Sequence, residues 1–207
     1  MKYDAIIYDI DGTILNTFDM NVYPLMRILK EELGIDYAFD ELVLLMSTPG
    51  LKILKDYGVE DHEVVYKRWV KYVNEYEGGA TIYENFDEVL ALLHHTYKQG
   101  IVSAKMRDQY HIDFVSKDLH NHIDAEVLSD DTTKHKPDPD PLLLCMEKLG
   151  VTPDRCIYIG DSIFDYEAAN AAGCDFGLAG WGNIELEGID EPTYVFNQPQ
   201  DIVSELL

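Results

Sequence analysis

Asp4-Ala5-Ile6-Ile7-Tyr8-Asp9-Ile10-Asp11-Gly12-Thr13 is the stretch from which the fold can be read. A short apolar run that ends abruptly in acid reads as a buried strand meeting a turn. Residues two apart in an extended chain point to one side, so Asp9 and Asp11 present two carboxylates together where that strand ends. Gly12 then permits the sharp exit that a side chain would obstruct. A calcium loop does not fit, because such a loop needs glycine at position six and a bidentate Glu at position twelve, where this chain has Met20.

Working outward, similar short runs recur between helical patterns, which predicts βαβ units on a parallel sheet. Strands are expected over 4–8, 100–103, 125–128, 156–159, 175–178 and 193–196. A helix over 85–99 is expected to stop at Gly100 as its C′ glycine. Another starts at Asp140-Pro141, with Asp140 as cap and Pro141 at the first helical position, and ends before Gly150. A third follows Asp161, runs through Ala168, Ala169, Ala171 and Ala172, and ends at Gly173. The interval 16–79 differs: it carries helical spacing over 18–33, 39–46, 51–57 and 62–77 with no convincing strand, and Gly78-Gly79 closes it. It reads as a helical subdomain inserted after the first strand. The expected organisation is a core of residues 1–15 and 80–207 with an inserted unit of 16–79.

The second acidic strand end is Ile157-Tyr158-Ile159-Gly160-Asp161-Ser162-Ile163-Phe164-Asp165. With a helix starting here, Asp161 and Asp165 stand one turn apart and face one way. Ligands of open parallel sheets bind beyond the carboxyl ends of strands where the strand order reverses, so two strands ending in aspartate are expected to share one crevice. Clustered carboxylates repel, and a hard cation such as Mg²⁺ on oxygen ligands relieves this. Between the two motifs lies Lys134-His135-Lys136-Pro137-Asp138-Pro139-Asp140-Pro141, whose prolines fix the backbone and present a lysine as a point charge. Gly100-Ile101-Val102-Ser103 ends a further strand in a hydroxyl, with Lys105 and Arg107 close behind.

The composition narrows the partners. In 207 residues, 16 Lys and Arg face 39 Asp and Glu, a formal charge of −23. That balance argues against nucleic acid and anionic membranes, whose phosphates must be met by basic residues. A small phosphorylated metabolite remains compatible, because screening confines the acidic surface to about 8 Å at physiological salt. No apolar run approaches the roughly 18 residues of a membrane span. Asp4, Asp9 and Asp11 interrupt any apolar leader, so a cytoplasmic location is expected. Cys145, Cys156 and Cys174 lack CxxC spacing and read as buried free thiols. His120 and His122 read as surface residues. Gly177, Gly180 and Gly182 do not make a dinucleotide fingerprint, since the spacing is reversed and no helix opens behind them.

Taken in order, strand-Asp-x-Asp-Gly-Thr, strand-Ser, Lys-Pro and strand-Gly-Asp-x-x-x-Asp resemble the haloacid dehalogenase superfamily of aspartyl-phosphate phosphohydrolases over almost the whole chain. The layout is closest to the phosphoglycolate phosphatase-like and β-phosphoglucomutase-like branch. The resemblance implies an α/β fold, a Rossmann-like parallel sheet core with an inserted α-helical cap closing about Asn16-Thr17 and Gly78-Gly79. It implies an Mg²⁺-dependent phosphatase acting on a small phosphate monoester of the phosphoglycolate kind. Asp9 would be the nucleophile, and Asp11 the acid and base. Phosphate binding would fall to Ser103, Ala104 and Lys136, although Ala104 stands where relatives often have Asn and so offers no side-chain contact. Mg²⁺ would be held by Asp9, the Asp11 backbone carbonyl, Asp161 and Asp165, the last directly or through water. The Lys-Pro pairing favours Lys136 over Lys134 as the active lysine. The cap segment Ser47-Thr48-Pro49-Gly50-Leu51-Lys52 resembles the substrate-reading loop of related caps, with Lys52 as the candidate reader among Lys55, Lys67, Arg68 and Lys71. A phosphomutase, a dehalogenase and a non-enzymatic binding module are the alternatives, the protein being a monomer or homodimer.

Overall fold

The computed structural model describes residues 2–46, 48–182 and 187–207. In chain order it contains β1 (Ala5–Tyr8), β2 (Leu15–Asn16), α1 (Phe18–Leu33), α2 (Phe39–Val43), α3 (Gly50–Asp56), α4 (His62–Asn74), β3 (Thr81–Ile82), α5 (Phe86–Leu93), β4 (Lys98–Val102), α6 (Arg107–Asp113), β5 (Ala125–Val127), α7 (Asp140–Leu149), β6 (Cys156–Gly160), α8 (Ile163–Ala172), β7 (Asp175–Ala179), β8 (Tyr194–Phe196) and α9 (Pro199–Leu206). The chain divides into two compact units, residues 1–15 with 82–207, and residues 16–81.

In the first unit the apolar runs become a six-stranded sheet in the order β5-β4-β1-β6-β7-β8. Each neighbouring pair is parallel. Strands covered on both faces need apolar residues throughout, and β1 and β6 are buried along their whole lengths. The chain lays β4 and β5 to one side of β1, then crosses over to place β6, β7 and β8 on the other. Strand order therefore reverses around β1, and register carries the consequence: Tyr8 pairs with Ile101 on one side and Ile159 on the other. The residues just beyond the ends of β1, β4 and β6 are Asp9, Ser103 and Asp161.

Two expectations need correction. The helix expected over 85–99 ends at Leu93, and Gly100 lies inside β4, not at a helix end. The polar Lys98-Gln99 pair resembles a helix surface, but Gln99 is fully buried and satisfied. It accepts from Tyr8 Oη and donates to the Leu90 and His122 carbonyls. Gly100 is where the strand meets α7: a Cβ there would lie 2.7 Å from Cys145 Sγ. The cap of α7 is Pro139 instead of Asp140, which moves Pro141 one position into the helix. The three cysteines are buried free thiols.

The second unit is helical. Val22, Leu25 and Leu29 of α1 pack with Ile53, Leu54 and Trp69 in a core of its own. Trp69 Nε1 donates to the Asn21 carbonyl at 3.1 Å. Helices α2 and α4 end at Val43 and Asn74, three residues short of the spacing-based bounds. Ser47, the first residue of the segment read as a substrate loop, lies outside the described residues. Among the described residues no helix is long and apolar enough to cross a membrane.

Candidate active site

The first strand delivers Asp9 and Asp11 to different surroundings. Asp9 is nearly buried, and its Oδ1 lies 2.9 Å from Lys136 Nζ. Asp11 is more open, and its Oδ1 lies 2.9 Å from Lys105 Nζ. The turn behind them is closed by the Gly12 N–H, which donates to the Leu15 carbonyl at 2.8 Å, with Gly12 at φ 78°. Gly12 is required twice over. Its φ is left-handed, and a Cβ there would fall 2.2 Å from Asp161 Oδ2.

At the end of β6, Asp161 accepts from the Thr13 hydroxyl at 3.1 Å. It is not the cap of α8, because that place belongs to Ser162. Ser162 and Asp165 form a reciprocal capping box: the Asp165 N–H donates to Ser162 Oγ, while the Ser162 N–H and hydroxyl donate to Asp165 Oδ2 at 3.1 and 2.6 Å. The other Asp165 oxygen accepts from Lys136 at 2.6 Å and from Tyr158 Oη at 2.8 Å. Gly160 gives this carboxylate its room, since a Cβ there would lie 2.6 Å from Asp165 Cγ. Asp9, Asp161 and Asp165 thus offer oxygens within 4.8 Å of one another.

Of the two lysines in the proline-rich segment, only Lys136 joins this group. Lys134 is 59% exposed and pairs with Asp138 and Asp140 on the surface. Ser103 is buried at the end of β4, where its Oγ accepts the Lys105 N–H at 3.2 Å, and Ala104 is exposed. Lys52 lies on α3 of the other unit and pairs with Asp56. Arg68 pairs with Glu31 and Glu32, and Lys71 with Glu75, as solvated helix faces do. Tyr158 and Ser162 carry no role in the sequence reading, and neither Lys105 nor Thr13, although both stand beside the motifs, is given one. The visible signals are the place of Thr13 in the first motif and that of Lys105 two residues past a strand-ending serine. Arg107, also noted there, braces the next loop through both oxygens of Asp131.

The electrostatics follow from crowding. Burial raises the Asp9 carboxyl, Lys136 opposes this, and Asp165 and Asp11 add to it, leaving Asp9 well above the usual carboxylate range. Burial and then the Asp165 and Asp9 charges push Asp161 up as well. Burial works against charge on Asp165 too, but Lys136 outweighs it and holds that group below its ordinary value. Burial opposes the Lys136 ammonium, and Asp165 and Asp9 overcome it. Two of the three clustered carboxyls therefore hold protons more tightly than usual. That is the behaviour of oxygen ligands gathered with too little positive charge, and it fits a hard divalent cation in the place of those protons.

The model of the haloacid dehalogenase-like hydrolase family matches residues 6–179. The chain belongs to this family. Among curated relatives, the pyrophosphatase PpaX of Bacillus velezensis is 25% identical over 212 residues, covering 98% of this chain and 95% of the relative. The phosphoglycolate phosphatase of Aquifex aeolicus is 28% identical over 205 residues, covering 96% and 94%. A hydrolase from Pseudomonas syringae superposes with a TM-score of 0.79 at 25% identity, covering 98% of this chain and 97% of that one. A haloacid dehalogenase-like protein from Streptococcus pneumoniae reaches 0.85 at 18% identity over 100% and 99%, a likeness of fold. The protein is an enzyme, a hydrolase of the phosphatase type.

Proposed function

We propose that the protein is a Mg²⁺-dependent phosphatase that hydrolyses a small organic phosphate monoester of the phosphoglycolate kind through a phosphoaspartate on Asp9. The observation that carries this reading is the buried group of Asp9, Asp161 and Asp165 bridged by Lys136. Asp9 attacks phosphorus, the phosphorus–oxygen bond to the organic group breaks, and Asp11 gives its proton to the departing oxygen. Water then attacks the phosphoaspartate, Asp11 takes up the water's proton, and inorganic phosphate leaves with the Asp9 carboxylate restored. Lys136, ion-paired to Asp9, offsets the repulsion between carboxylate and phosphate dianion, and Ser103 and the Ala104 backbone receive the phosphoryl oxygens.

Asp9, Asp161 and the Asp11 backbone carbonyl would hold the cation, which supplies charge neutralisation at the phosphoryl group. Asp165 supports the site through Lys136, since both of its oxygens already accept from Lys136, Tyr158 and Ser162.

The test is phosphate release from 2-phosphoglycolate, pyrophosphate and a series of sugar phosphates, with Mg²⁺ or with chelator, by the wild type and Asp9→Asn. Chelator-sensitive release that the substitution abolishes is the expected result. Turnover retained by folded Asp9→Asn, or no release from any compound, overturns the reading. Dominant release from pyrophosphate would replace the monoester with the substrate named for the PpaX relatives.

A further inference from the structure

Lys105 is the one buried ammonium at this end of the sheet, among the described residues, that the reaction above leaves without a task. Its side chain is 9% exposed and lies between two carboxylates, 2.7 Å from Asp113 Oδ2 and 2.9 Å from Asp11 Oδ1. The contacts are unequal. Asp113 is 4% exposed, and Gln109, one turn earlier on α6, donates to the same oxygen at 2.9 Å. The Lys105 backbone is tied at both ends, its N–H to Ser103 Oγ and its carbonyl to the Ser129 N–H at 3.0 Å. The ammonium is therefore fixed from behind. Burial opposes its charge, but Asp11 and Asp113 more than restore it, so it stays a cation.

Asp11 is the more open member. Its side chain is 38% exposed, yet Oδ1 is buried and has Lys105 beside it off the line of a hydrogen bond. That leaves Oδ2 as the oxygen on the open side. We propose that Lys105, anchored by Asp113 and Gln109, is a positioning residue that holds Asp11 Oδ1 so that Oδ2 faces the leaving oxygen of the substrate. The inference rests on the reading of Asp11 as the acid of the first step. It concerns aim alone: a carboxyl free to rotate about its Cα–Cβ bond spends much of its time elsewhere, and a misplacement near 1 Å lowers rates by about 10²-fold.

An aiming role has a signature that a merely structural one lacks. Protonation matters when the departing oxygen is a poor leaving group and little when it is already a stable anion. The experiment compares kcat/KM, which reports transfer to Asp9, for an alkyl phosphate and for p-nitrophenyl phosphate in the Mg²⁺-loaded enzyme. Lys105→Met is expected to lower the alkyl value about 10²-fold and the p-nitrophenyl value less than about 5-fold. Lys105→Arg, which can still bridge two carboxylates, should recover most of the alkyl loss. Because Lys105→Met strands the buried Asp113, the double variant Lys105→Met/Asp113→Asn is run beside it and should show the same selective loss. Equal losses on both substrates, or none on the alkyl phosphate, in whichever of these variants folds, overturn the proposal. Asp11→Asn separates the levels. If it is leaving-group selective and the Lys105 variants are not, the positioning role alone fails; if it shows no selectivity, the assignment of Asp11 fails and the positioning role falls with it.

Discussion

Gly182 offers the sharpest way to disturb the site without touching a reacting group. A Cβ built on Gly182 would lie 1.6 Å from the Gly12 carbonyl oxygen and 2.6 Å from the carbonyl carbon. Protein Cβ atoms essentially never approach other heavy atoms within 3.0 Å, so Gly182→Ala must open this contact by at least 1.4 Å. Both partners are backbone, and no rotamer can absorb the change. The Gly12 turn is held by its N–H bond to Leu15 and packs against the Asp161 carboxyl, with Trp181 Nε1 bonded to the Thr13 carbonyl at 2.9 Å. The displacement therefore falls on the turn carrying Asp11. A shift of that size is expected to lower kcat/KM about 10²-fold. Overpacking destabilises by about 1–3 kcal/mol, and for a chain of this length each kcal/mol lowers Tm by about 2–4 °C. Gly34→Ala is the control: it has a left-handed φ of 71° with nothing within 4 Å, so it should lower Tm by a few degrees and leave kcat/KM alone. Gly182→Ala with kcat/KM within twofold of wild type would refute the reasoning.

Other expectations concern the charges. Lys136→Met should eliminate turnover and destabilise by about 3–5 kcal/mol, because Asp165 is left buried without its cation; Lys134→Met should change neither, and denaturant melts with phosphate-release assays decide. Lys52→Ala, which breaks a surface pair with Asp56, should raise KM for the best substrate with little change in Tm; unchanged kinetics across the substrate series would reduce Lys52 to that pair. Asp9 and Asp161 have pKa values raised above the ordinary carboxylate value of about 4. In that window the folded state binds more protons than the unfolded one, so their contribution to stability falls as pH rises from about 4 through the raised values. A cation replacing those protons should therefore raise Tm more at pH 8 than at pH 5; an equal shift at both, in thermal melts with and without MgCl₂, would contradict the clustering.

What the sequence made legible was whatever repeats with a period or stops at a residue that cannot continue. The apolar runs leading to Asp9, Ser103 and Asp161 locate three strand ends to within one residue, because burial on both faces demands such runs. Lys98-Gln99 carries no strand signal, because its buried glutamine is satisfied by Leu90, His122 and Tyr8, partners that the local pattern does not show. The glycines at 177, 180 and 182 showed no dinucleotide pattern, and their reason is spatial: Phe196 crowds the first two and the Gly12 backbone the third. Lys105 stood in view after Ser103, yet its worth depends on Asp113 and Asp11, which the fold brings to it from opposite directions along the chain. Lys136 could be preferred over Lys134 on its proline neighbour, and the ion pairs separate the two.

The carboxylate of Asp165 serves two masters. It closes the first turn of α8 with Ser162, and it holds the ammonium that faces Asp9. A descendant of this chain that drifted away from catalysis would still be under pressure to keep Asp165, so its presence in a relative is poor testimony that the relative is active. The same sharing guides anyone who needs an inert but intact copy, for trapping a substrate or for use as a scaffold. Substitution at position 165 removes one half of the α8 capping box together with the Lys136 contact, whereas Asp9→Asn removes the proposed nucleophile and leaves α8 its start.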